Sequence, residues 1–357
     1  MTIHSVCRRM VAALLILSLL VGLTGCASGT APQRTTGETI TFTDSCGRTV
    51  ELPAEITAIV PSGSLAQMVL LSLCPELLVG LSSNLSRTQR QYLSAAVQEL
   101  PVLGSFYAGG STMNFEAVIG CSPDVIIDIG ETKTTIAEDM DQIQERTNTP
   151  TIFIEGTIDT MAEAMRTLGS LLGCEARGEE LADYMDAVLA DITAKSALIP
   201  EEDRISVLYG DGEYGLEVKS AGTVHTEIFE LVGADNVAQS EFDGEVTIEQ
   251  VLLWDPDVVI LTPDANYDDI FDDPVWSGVR AVQTGQVYEA PYGPYNWIDK
   301  PPSLQRFLGI QWLAQVLYPG VYDYDLVSIA QEFYRLFYGY ELTQDEAMAL
   351  MCRSLYA

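Results

Sequence analysis

Two stretches of this chain align without a gap: NFEAVIGCSPDVII, from Asn114 to Ile127, and TIEQVLLWDPDVVI, from Thr247 to Ile260. Each opens on a helix-capping residue (Asn114, Thr247) and carries a glutamate two positions on (Glu116, Glu249). Each continues as a short apolar helix, breaks at Pro-Asp (Pro123 and Asp124, Pro256 and Asp257), and ends in a run suited to a buried strand. A helix-to-strand unit repeated on both sides of the chain centre predicts two Rossmann-like α/β lobes related by pseudo-symmetry. Between the repeats, Leu181, Met185, Val188 and Ile192 form one helical stripe, with Glu179, Asp183, Asp186 and Asp191 off it. A single long rigid helix over residues 175–198, stopped by Pro200, is therefore expected to join the lobes; from Gly178 to Leu198 it would be roughly 30 Å long.

At the N-terminus, Arg8 and Arg9 precede an apolar run from Met10 to Leu23, short for a membrane span, that ends in Leu-Thr-Gly-Cys at Leu23 to Cys26. This reads as a bacterial lipoprotein signal peptide. Cleavage before Cys26 would leave a lipidated cysteine, so the chain would be exported and tethered by lipid at the outer face of the cytoplasmic membrane, or periplasmic in a two-membrane host. A lone membrane anchor is the competing reading. The division that follows is a signal peptide (1–25), a flexible tether rich in Ser, Gly, Thr and Pro (26–38), an N-terminal lobe (39–174), the connecting helix (175–198) and a C-terminal lobe with terminal helices (199–357).

With 18 basic residues against 51 acidic ones and a net charge of −33, the chain is a poor partner for nucleic acid or anionic lipid. The cysteines beyond Cys26 (Cys46, Cys74, Cys121, Cys174 and Cys352) show no CxxC spacing. Cys74 and Cys121 share the first lobe and could pair, but buried free thiols are the simpler expectation. Alternating runs predict a mainly parallel sheet in the first lobe, with strands at Ile56–Val60, Leu77–Leu81, Val102–Leu103, Val125–Ile129 and Ile152–Ile154. A helix is expected around Thr88 to Val97. The second lobe is expected to hold strands at Ile205–Tyr209, Leu216–Lys219, Val258–Leu261 and Val287–Glu289, and a helix at His225–Val232. A helix starting at Pro301 and two more, near Leu326–Phe337 and Thr343–Leu355, close the chain.

The Leu-Thr-Gly-Cys segment, the DxxGRxVxLP opening at Asp44 to Pro53, the paired Glu-helix-Pro-Asp-strand units and the helical connector together resemble the substrate-binding lipoproteins of ABC importers for iron complexes and cobalamin. The segments WIDKPPSLQRFLGIQWLAQVLYP and FYRLFYGYELTQDEA resemble one subgroup of that family. The resemblance covers nearly the whole mature chain and implies a monomeric carrier, not a catalyst. Its cargo would be a metal chelate such as a ferric siderophore, haem or corrinoid, held in a shallow cleft between lobes and passed to a membrane permease with its ATPase. It also implies that Glu116 and Glu249 pair with arginines of the permease, steering docking more than adding affinity. A glutamate in a first helical turn otherwise does no more than complement the helix dipole.

Ligands of open α/β sheets bind beyond the carboxyl ends of the strands. That rule nominates loop residues Ser64, Asn84, Tyr107, Lys133, Tyr214, Tyr292, Tyr295, Trp297 and Lys300, with His225 at a helix start. Converging aromatics suit a flat or partly apolar ligand, and Lys133 and Lys300 could balance an anionic one. Once the leader is removed His225 is the sole histidine, so no multi-histidine site for a bare metal can be built, and no resident cofactor or catalytic group is expected. His225 could complete the coordination of a chelated metal. Small oxyanions such as molybdate, nickel chelates, and a sensory lipoprotein of the same fold remain alternatives. An extracytoplasmic hydrolase is disfavoured, since neither GxSxG nor HExxH occurs.

Overall fold

The computed structural model describes residues 37–107 and 112–351; Arg8, Arg9, Cys26, most of the tether and Cys352 lie outside them. The opening string folds as the expected hairpin, β1 (Thr39–Thr43) pairing antiparallel with β2 (Thr49–Pro53). Asp44 holds its turn by accepting from the Arg48 N–H at 2.8 Å and the Arg48 guanidinium at 3.1 Å. Arg48 also donates to the Thr151 carbonyl at 2.9 Å, fixing the hairpin to the sheet behind it.

That sheet is parallel, with β4 (Val125–Gly130) central between β3 (Ile59–Pro61) and β5 (Thr151–Glu155). Val125, Ile127 and Ile129 face the main core, while Ile126 faces a second one with Met140 and Ile143 of helix Ile136–Thr147. Burial on both faces is why the run is apolar throughout rather than alternating. The runs at 77–81 and 102–103 contribute only the single bridges Ile59–Leu78 and Leu81–Val102 instead of full strands. A 3-10 turn at Pro75–Leu77 consumes the start of the first, and Pro101, with no N–H to give, precedes the second. The single helix expected near 88–97 is two, Arg87–Tyr92 and Ala95–Gln98, because Ser86 and Ser94 each cap their own.

The second half holds a mixed sheet built from β6 (Ser206–Asp211), β7 (Glu217–Val218), β8 (Asp235–Asn236), β9 (Gly244–Glu245), β10 (Val258–Leu261) and β11 (Val287–Glu289). Its order is β11-β10-β6-β7-β9, with β8 also on β6; β6, β8, β10 and β11 are parallel, and β7 pairs antiparallel with both β6 and β9.

The sequence repeat is also a structural one. Asn114 and Thr247 cap helices Phe115–Cys121 and Ile248–Trp254 through their side chains, and both helices end on a left-handed residue, Ser122 and Asp255. The aspartate of each Pro-Asp pair then stitches helix exit to sheet. Asp124 accepts from the Thr57 and Ala58 N–H groups at 2.8 and 3.0 Å, and Asp257 from the Ser206 N–H at 3.1 Å.

Helix Glu175–Ser196 buries the expected stripe, Leu181, Met185, Val188 and Ile192, together with Gly178 and Ala182. It forms a hairpin with helix Met161–Leu171, drawn close where Gly178 meets Gly169. Arg177 donates to the carbonyls of Ser72 and Leu336, at the ends of helices Ser64–Leu73 and Leu326–Tyr338. One continuous core therefore holds residues of both halves, from Leu70 and Ile127 through Met185 to Ile260 and Phe333. The helix expected from Pro301 begins only at Arg306 and runs to Leu317. Lys300 has φ +64°, and Pro302 disfavours a helical conformation at Pro301. The last helix among the described residues, Gln344–Leu350, opens on a Thr343–Glu346 capping box.

Candidate functional site

A cavity of about 380 Å³ opens where the carboxyl ends of β3, β4 and β5 face segments of the second half. The first half lines it with Gly63 and Ser64 after β3, with Ser105 and Tyr107, with Asp128 and Gly130 on β4 and Lys133 beyond it, and with Thr157 after β5. The second half supplies Val224 and His225, then Pro301 to Ser303, Arg306 and Phe307. Of the nominated residues, Ser64, Tyr107, Lys133 and His225 meet here. The lysine Nζ stands 4.5 Å from the Tyr107 ring centroid.

Asp128 is a buried acid at the cleft wall, and the Ser62 hydroxyl donates to it. Burial raises its pKa from 3.8 to about 6, against the opposing pull of Ser62, Tyr107 and Lys133. On the opposite wall His225 Nδ1 lies 2.9 and 3.0 Å from the two oxygens of the buried Asp299. That bond raises the histidine pKa and orients the ring, leaving Nε2 as its unbonded edge. Arg306 is 3% exposed and donates through Nη1 to Glu227 at 2.7 Å; burial lowers its pKa.

The other nominated positions do not line this cavity. Trp297 and Tyr295 are core residues, at 0% and 5% exposure, not cleft aromatics. Helix 306–317 clamps their loop so tightly that a Cβ on Gly309 would come within 1.8 Å of the Trp297 carbonyl oxygen. Tyr214 and Tyr292 are exposed at 65% and 42%, and Tyr292 borders a separate pocket with Tyr92 and Leu350. Asn84 is exposed in its loop. Lys300 is spent on Asp211 at 2.5 Å and Asp264 at 3.2 Å, so it serves the second lobe's own acids. Sequence reading nominated neither Asp128 nor Arg306: Asp128 is hidden in an apolar strand, and Arg306 in a helix from which no ligand contact was drawn.

Glu116 and Glu249 are both exposed in the first turns of their helices. Cys74 has no bond to Cys121; its thiol hydrogen-bonds Cys174 instead, and the described cysteines are free.

Residues 97–292 match the model of a family described as periplasmic binding protein. The chain belongs to this family. The Fe(3+)-citrate-binding protein YfmC of Bacillus subtilis (strain 168) is 26% identical over 188 residues, 50% of this chain and 57% of that protein. The uncharacterized ABC transporter substrate-binding lipoprotein YvrC of the same organism is 22% identical over 217 residues, 60% of this chain and 68% of that one. Among solved structures, an ABC transporter solute binding protein from Sulfurospirillum deleyianum superposes with a TM-score of 0.79 at 30% identity, over 87% of this chain and 98% of its own. The molybdate-bound MolA of Haemophilus influenzae shares the periplasmic binding protein fold, with a TM-score of 0.68 at 19% identity over 85% of this chain and 99% of its own. Among the described residues no helix is long and apolar enough to cross a membrane, and no group of His, Cys, Asp and Glu could hold a bare metal ion.

Proposed function

We propose that this periplasmic binding protein captures a metal complex in the cleft and delivers it to an ABC permease driven by its ATPase. It would do so as a monomer tethered through lipidated Cys26, with no reaction of its own. The observation that carries the reading is the two-sided cleft, with Asp128, Tyr107 and Lys133 facing His225 and Arg306 across the join between halves. A volume of about 380 Å³ lies at the small end of ligand sites, which run to ~1,000 Å³, and favours a compact chelate over a corrinoid. The same space would hold about a dozen waters at ~30 Å³ each, generous for a lone oxyanion. The Asp299–His225 pair has the form of an oriented metal ligand, so a chelate with an open coordination position could take Nε2.

Titration calorimetry of the chain starting after Cys26, against ferric citrate, haem, cobalamin, a nickel–histidine chelate and molybdate, tests this reading. Saturable binding of one complex at micromolar concentration or below supports it. Calorimetry suits the test better than tryptophan fluorescence, because Trp297 is sealed in the core and the other tryptophans do not line the cleft. Heat from none of the panel, with folded protein, would argue for the sensory alternative.

A further inference from the structure

We propose that Arg306 and Ser303 form an anchoring subsite for a free carboxylate arm of the cargo, so that the cleft selects metal carboxylate chelates over chelates lacking carboxylates. The assignment rests on the carrier reading and narrows its ligand class. Arg306 is buried and lines the cleft, yet only Nη1 is bonded, to Glu227 at 2.7 Å. Its Nε and Nη2, and the Ser303 Oγ three residues earlier, are buried with no partner in the protein. Interior polar groups are ordinarily satisfied, and a guanidinium holds five donors in a fixed fork.

Two other partly buried arginines follow that rule. Arg48 spends its fork on Asp44, Asp141 and the Thr151 carbonyl, and Arg177 on Glu180 and the carbonyls of Ser72 and Leu336. Arg306 departs from it on one edge only. Nε and Nη2 are the two parallel donors that a carboxylate accepts side-on, and Ser303 Oγ adds a third donor from the same segment. Glu227 holds the guanidinium from behind without occupying that edge. Lys133 adds a second positive charge from the facing wall, whereas the nearby Asp128 already accepts from Ser62. A metal chelate that keeps one carboxylate off the metal would complete the fork and leave its metal toward His225.

Calorimetry on the wild type, Arg306→Lys and Ser303→Ala, each with ferric citrate, a ferric trihydroxamate lacking carboxylates, and molybdate, tests the assignment. Arg306→Lys keeps the charge and the Glu227 pair but loses the fork. Ferric citrate affinity should fall about 10- to 100-fold in Arg306→Lys and several-fold in Ser303→Ala, with unchanged melting temperatures. The trihydroxamate should bind the wild type at least tenfold more weakly and be indifferent to both changes. Ser303→Ala carries the test if Arg306→Lys does not fold. Equal binding of the trihydroxamate, with no effect of either variant, would overturn the carboxylate subsite while leaving the carrier intact. Molybdate bound more tightly than ferric citrate, and lost in Arg306→Lys, would overturn it in favour of an inorganic oxyanion. Binding of none of these or of the wider panel would overturn both readings.

Discussion

Asp128 puts a carboxyl group inside a hydrophobic strand, and its cost depends on pH. Its pKa rises from 3.8 to about 6 through burial, so between those values the folded state keeps a proton that the unfolded chain has released. Stability from this group therefore falls as pH rises across that window, by roughly 3 kcal/mol if one pKa unit is ~1.4 kcal/mol. His225, raised above 6.5 chiefly by its bond to Asp299, contributes fully below 6.5 and loses its contribution as pH rises through its folded-state pKa. Urea denaturation of the ligand-free protein from pH 4 to 8 should show both losses. Asp128→Asn should remove the lower one, and an unchanged slope between pH 4 and 6 would refute the assignment. The thiols make a second residue-scale prediction. Cys74 is raised, first by its hydrogen bond to Cys174, and Cys174 is lowered by the same bond, so the shared proton resides on Cys74. Maleimide should modify half-buried Cys174 in the native state and Cys74 only on unfolding; faster labelling at Cys74 would contradict the pairing.

Helices in this chain are decided by what they touch, and two glycines show it. Gly178 lies inside helix Glu175–Ser196, where alanine would ordinarily gain up to ~1 kcal/mol in helix propensity. A Cβ there would sit 2.5 Å from the Met165 carbonyl oxygen and 3.0 Å from Gly169 Cα, so Gly178→Ala should cost about 1–3 kcal/mol. Gly120, in helix Phe115–Cys121, has nothing within 4 Å of such a Cβ, and Gly120→Ala should be neutral or stabilising by under ~1 kcal/mol. Thermal melts of both variants check the opposite signs. The same contrast explains what was legible in the sequence. The connector stripe, the two capped glutamate helices and the strands after Pro-Asp show as periodicity, because local pattern and burial agree there. Strands 77–81 and 102–103 shrink to bridges because proline and a tight turn outweigh their apolar content. Tyr295 and Trp297 were misplaced because a loop aromatic reads the same whether it packs inward or meets a ligand. Arg306 was readable after all. Helix 306–317 is apolar on every face, hence buried, and an arginine in its first turn then demands partners.

At the scale of the molecule, charge poses a problem that the cleft must solve. A chain of net charge −33 repels an anionic chelate at long range, whereas Lys133, His225 and Arg306 attract it only once it is within the cleft. Exposed Glu116 and Glu249, one on each pseudo-symmetric helix, belong to the acidic exterior, and their expected task is orientation on a basic permease surface. Replacing both by alanine should leave ferric citrate affinity within twofold while reducing uptake, or ligand-stimulated ATPase activity of the reconstituted importer, at least tenfold. Salt separates the two fields. At 0.15 M the screening length is ~8 Å, short against the width of the protein but long against a buried ion pair. Association of ferric citrate, followed by stopped flow, should therefore quicken as salt rises from ~0.01 to 0.15 M, because the general repulsion is screened away. Dissociation should change little, because the Arg306 fork is screened little. Association that slows with salt would mean instead that the basic residues of the cleft already govern the approach, and that the acidic exterior is arranged for the permease alone.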